Sequence, residues 1–164
     1  MNKKFSKPKK SNGQFEVLIS AAIGGVFMCA LIVLAFFVPT LADLLIAVPD
    51  NIGSRGEITS LERGFIISDF YLMILVGIVA VVLMFVLLKT VLNGNVFTSS
   101  ACKLLSSVSV CCFLEALLSI ILVVYFQVAV CASLAACFLG LCLRIVKSVI
   151  AEATAIKEEN DYTV

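Results

Sequence analysis

Glu115 is the one formal charge between Leu104 and Leu143, a run of forty residues whose other strongly polar interruption is Gln127. An ionised carboxylate in the middle of such a run, if the run lies in lipid, costs several kcal/mol unless something partners it. Folding the run back on itself near Phe126 places Cys137 opposite Glu115, Ser133 one turn away, and Ser119 at i+4 on the same helix. Glu115, Ser119, Ser133 and Cys137 therefore form a candidate intramembrane site. Its expected chemistry is a neutral, protonated carboxyl donating to a hydroxyl or a carbonyl. One reading makes it a proton or cation site, or a pH-sensitive lock between helices. The other makes it a carboxyl that fixes packing or a homo-oligomer contact. In this register Arg144 lies about 10 Å from the Glu115 level, too far for a direct ion pair.

Other chemistries find no residues to carry them. The chain has no histidine, which removes the usual general base, the histidine-based triads and the HExxH zinc sites. Seven cysteines form no CxxC pair, and all but Cys102 fall in apolar runs, so they read as small packing residues and not as a disulfide framework or metal site. The acids at 43, 50, 57, 62 and 69 lack calcium-loop spacing and read as a solvated face. No Gly-rich phosphate loop is present. The sequence thus predicts a non-enzyme without catalytic residues, metal or cofactor. A net charge of +1, with no basic stripe, gives no reason to expect direct nucleic-acid binding.

The elements that must position Glu115 follow from apolar content. With 62% hydrophobic and 14% charged residues, the 164-residue chain has more apolar surface than a soluble domain of its size can bury. A span needs about 20 apolar residues, and four fit, at about 17–37, 70–88, 104–124 and 128–150. The expected fold is an all-α, four-helix polytopic membrane protein in one domain, 15–164. A basic arm occupies 1–14, an outer loop 39–69, an elbow 89–103 and a tail 151–164. Pro39 is expected to close the first helix. Thr59-Ser60-Leu61-Glu62 fits a capping box opening the second, and Thr98 or Ser99 caps the third. The stripe Ile145, Val149, Ala153, Ile156 predicts that the last helix continues two or three turns beyond the bilayer.

Small residues mark where helices come close. In the third span they are Cys102, Ser106, Ser109, Cys112, Ala116 and Ser119; in the fourth, Ala129, Ser133, Ala136 and Gly140. These two stripes are expected to face each other. A third stripe, Ala21, Gly25 and Cys29, marks the first span. Of the twelve lysines and arginines, ten fall in the arm, the elbow and the segment from Arg144 onward, and two, Arg55 and Arg63, in 39–69. That bias predicts both termini on the cytoplasmic side of the membrane.

Two stretches carry a resemblance. The connection Asn93-Gly94-Asn95-Val96-Phe97-Thr98 and the end Lys157-Glu158-Glu159-Asn160-Asp161-Tyr162-Thr163-Val164 resemble a bacterial four-helix membrane family catalogued as a domain of unknown function. That family has a Gly-x-x-Phe-Thr-like elbow after its second span and a Glu-Asn-Asp-x-Thr-Val-like tail. The likeness is best over the last 75 or so residues. It implies a bacterial cytoplasmic membrane and, because members are often encoded beside a small helix-turn-helix regulator, a regulatory or sensory partnership with such a protein. Gly94, Phe97, Thr98, Glu159, Asn160, Asp161 and Thr163 are then the candidate docking residues. The alternatives are an immunity or resistance protein against a membrane-active peptide, and a small transporter or channel subunit using Glu115.

Overall fold

A computed structural model describes residues 11–47, 59–92 and 98–161, in which the chain forms four helices: α1 Ser11–Ala47, α2 Ser60–Leu92, α3 Ser99–Leu122 and α4 Ala129–Asp161. All four are long and apolar enough to cross a membrane. At about 1.5 Å per residue they measure roughly 55, 50, 36 and 50 Å, against a hydrocarbon core about 30 Å thick. Large apolar side chains remain outside, with Phe36 80% and Phe65 70% exposed. Such a surface suits lipid and not water. The protein is a multi-pass membrane protein.

Helix ends follow local chemistry. Thr59 opens α2: its amide donates to the Glu62 carboxylate at 2.8 Å, the return half of the capping box, and its carbonyl accepts from the Arg63 amide. Thr98, in extended backbone, caps α3 by accepting from the Ala101 amide. Between α3 and α4, the Tyr125 and Phe126 amides both donate to the Leu122 carbonyl, turning the chain within residues 123–128. The predicted fold-back at 125–127 lies inside this turn.

Several boundaries differ from expectation. Helix α1 already begins at Ser11, within the run read as part of the arm, and it passes through Pro39 to Ala47. A proline inside a helix removes one backbone hydrogen bond and crowds the preceding turn. Tertiary packing holds the leg beyond it, because Val38 and Ala42 are both fully buried. Helix α2 continues past Lys89 to Leu92. The acidic residues read as a tail begin inside α4, which runs to Asp161.

The helices pack in chain order, α1 on α2, α2 on α3 and α3 on α4. Among the described residues, no close backbone approach joins α1 to α3 or α4, or α2 to α4. At the turn end of the bundle, Ala42, Ile66, Leu122 and Phe126 form a buried cluster that gathers α1, α2, α3 and the turn. Beside it, the Arg63 guanidinium grips the Asp43 carboxylate with Nε and Nη2 at 2.6 and 3.0 Å. Toward the other end, α1 meets α2 where Gly24 sits under the Phe85 ring, 3.1 Å from where a Cβ would stand. Gly25, expected on that contact stripe, has nothing within 4 Å, and Cys29 is exposed. The stripe is rotated by one residue because the ring needs a glycine directly beneath it.

Candidate intramembrane site around Glu115

Helix α3 has two working faces. One carries Ser109 and Ala116 of the small-residue stripe, which meet Gly140 and Ser133 of the α4 stripe, while Cys112 and Ala136 of the two stripes line a cavity instead. The Ser109 hydroxyl donates to the Gly140 carbonyl and the Ser133 hydroxyl to the Ala116 carbonyl, each at 2.9 Å and each buried. Gly140 also admits the Phe113 ring, which stands 3.2 Å from where a Cβ would be. Arg144 places its guanidinium over the same ring, 5.6 Å from the Phe113 centroid. Lys147 donates to the Ser106 hydroxyl at 3.2 Å. Direct hydroxyl-to-carbonyl bonds of this kind hold helices together where lipid offers no competing donor.

These bonds also fix the register, and it differs by three residues from the expected one. From Ser109 to Ala116 is seven residues along α3, and from Gly140 to Ser133 is seven residues back along α4, so both bonds set one register. In it Leu134, not Cys137, lies level with Glu115. Ser133 is engaged with the backbone of Ala116. Ser119 is buried on the α4-facing side and Cys137 is partly buried with a free thiol. Among the described residues no hydrogen bond joins Glu115 to Ser119, Ser133 or Cys137.

Glu115 lies on the second face of α3, toward α2 and α1. A Cβ added at Gly77 would stand 3.7 Å from Glu115 Oε1, with Leu31 of α1 at 3.4 Å on the same side. The glycine makes room for the carboxyl. Around this point residues of all four helices line an open cavity of about 590 Å³, with Leu31 and Val38 of α1, Ile74 and Gly77 of α2, Cys112 and Glu115 of α3, and Ala136 and Leu139 of α4 among its walls. Asp69 stands eight residues before Gly77 on α2. It is partly buried, and its Oδ2 is buried without a hydrogen-bond partner. Asp69 therefore departs from the solvated face expected of the outer acids, and it borders a second groove with Ile66 and Tyr125. Among the described residues no lysine or arginine forms an ion pair with either carboxyl.

Sequence reading missed Gly77 and Asp69 as parts of this site. The available signal was positional: Gly77 is a lone glycine seven residues into the 70–88 span, and Glu115 is nine residues from the matching end of the 104–124 span.

Residues 38–164 match the family described as "Protein of unknown function (DUF2975)". The chain belongs to this family. No curated protein and no solved structure matches it. The DUF2975 match takes in all of α2, α3 and α4 with the last turns of α1, so Gly77, Asp69 and Glu115 lie inside it, while Leu31 lies outside.

Of the other candidate residues of this DUF2975 chain, four are described. Thr98 caps α3. The backbone of Glu159, Asn160 and Asp161 forms the last turn of α4. Gly94, Phe97 and Thr163 lie outside the described residues.

Proposed function

We propose that the protein is a non-enzymatic regulatory or sensory component of a bacterial cytoplasmic membrane, coupling the state of the bilayer to a small helix-turn-helix transcription regulator. The observation that supports this reading most is the length of α4. Its 33 residues make an unbroken helix of about 50 Å. A core of about 30 Å leaves roughly 20 Å of helix projecting beyond the membrane. The projecting end is the lysine-bearing one, which the positive-inside rule assigns to the cytoplasm. Helix α4 is stitched to α3 by Ser109, Ser133 and Lys147. A shift of α3 at the Glu115 level would therefore be carried to the projecting end.

Crosslinking and pull-down from native membranes tests this, comparing the full chain with one truncated after Ala151 whose helical content has been checked. Recovery of a helix-turn-helix protein with the full chain alone is the expected result. Recovery that ignores the truncation, or none from either chain, contradicts it.

The cavity at Glu115 favours a second reading, a small transport subunit. Proton or cation flux in reconstituted vesicles, lost in Glu115→Gln, would establish it; flux equal in the two chains would remove it.

A further inference from the structure

The walls and the single strong acid of the Glu115 cavity together select a class of ligand. Leu31, Val38, Ile74, Val81, Ala136 and Leu139 make the walls hydrocarbon. Glu115 is the one carboxyl among the lining residues, and the weakly acidic Cys112 thiol is the only other ionisable group there. The nearby cations are committed elsewhere: Arg63 to Asp43, Arg144 to the Phe113 ring and Lys147 to Ser106. Asp69 of α2 borders the neighbouring groove, with its Oδ2 buried and without a hydrogen-bond partner. At about 590 Å³ the space falls within the range of roughly 300–1,000 Å³ usual for small-molecule pockets.

The route in is lateral. Phe27 of α1 and Leu139 of α4, both lining the cavity, are 54% and 57% exposed. The backbones of α1 and α4 make no close approach. A molecule dissolved in the bilayer can enter between them without first passing through water.

We propose that this cavity binds a lipophilic cation, an organic ammonium or phosphonium whose apolar body fills the hydrocarbon walls while its charge pairs with Glu115. An inorganic cation would need several oxygen ligands, and the lining supplies one carboxyl group. A neutral acyl chain would leave that carboxyl buried against hydrocarbon. An anion would find no cationic side chain among the lining residues to pair with. A diffuse organic cation loses little hydration on entering, and its attraction to a carboxylate is strong in a low-dielectric site. The proposal deepens the regulatory reading by naming the input. It is measured on the purified full chain with no regulator present, so its failure and that of the tail pull-down are separate results.

The experiment is equilibrium binding of radiolabelled tetraphenylphosphonium to the full chain in nanodiscs of phosphatidylcholine, with tetraphenylborate, of similar shape and opposite charge, as the comparison. The expected result is saturable binding of the cation, no saturable binding of the anion, and affinity at least about tenfold weaker in Glu115→Gln, with Glu115→Asp recovering part of it. Cation binding unchanged by Glu115→Gln, or equal binding of the two ions, overturns the proposal. Should the Gln variant fail to fold, a photoreactive quaternary ammonium on the native chain decides. Labels on the α1 and α2 segments around Leu31 and Gly77 support the proposal; labels confined to the groove around Phe65, Leu72 and Tyr125 refute it.

Discussion

The two sides of α3 are built on different principles although both lie in the same run of apolar sequence. Toward α4, small residues let the backbones close, and buried serines donate directly to carbonyls of the opposite helix. Toward α2 and α1 there is a glycine, an acid and a cavity of about 590 Å³. The first side is closed by direct bonds, and the second is held by the cluster around Ala42, Ile66, Leu122 and Phe126 at the turn end and by Phe85 over Gly24 toward the other. In lipid, where burial of apolar surface gives little net drive, a close seam needs specific bonds, and a side without them stays open. Rigidity and access are thereby divided between two faces of one helix.

Substitutions can break this contrast or sharpen it. The largest effect should come from Phe126→Ala, which empties the centre of the turn-end cluster, where Phe126 is 6% exposed. A loss of about 3 kcal/mol is expected, within the range for deleting a packed aromatic. Unfolding in mixed micelles measures it, and α1 should become more accessible to protease before α4 does. Next comes Gly140→Val. Its Cβ would already crowd Phe113 at 3.2 Å, so the hairpin should lose about 2 kcal/mol by overpacking. Gly25→Val, on a surface with nothing within 4 Å, is the matched control and should change little. Smaller still, Ser109→Ala and Ser133→Ala should each cost about 1 kcal/mol or less, the usual yield of an interhelical hydrogen bond in a membrane. Measured together they should add, because they sit two turns apart on separate carbonyls. The smallest effect is expected from Asp43→Asn. The pair with Arg63 is exposed on both sides, so solvent screens it, and the unfolding midpoint should stay within error at moderate salt.

What the sequence discloses follows the same division. Four apolar runs gave the number and order of the helices, and Thr59 and the pair Thr98-Ser99 located two starts, of which Thr98 is the cap formed at the second. The stripe pairing of Ser109, Ala116, Ser133 and Gly140 was legible because small residues recur at helical spacing on both sides of one short turn. The direction faced by Glu115 was not. It depends on the turn between Leu122 and Ala129, which sets the register, and on the rotation of α3 between two neighbours. Neither leaves a periodic trace. Pro39 misled for a related reason: local propensity argues for a helix end, while the burial of Val38 and Ala42 that overrides it belongs to contacts more than twenty residues away.

Paired-cysteine crosslinking in an otherwise cysteine-free chain tests the orientation of Glu115 most directly. The account predicts that Gly77→Cys with Glu115→Cys joins rapidly with a short bifunctional thiol reagent, while Glu115→Cys with native Cys137 retained does not. Rapid joining of 115 to 137, with none between 115 and 77, would put the acid back in the α3–α4 seam and contradict the account.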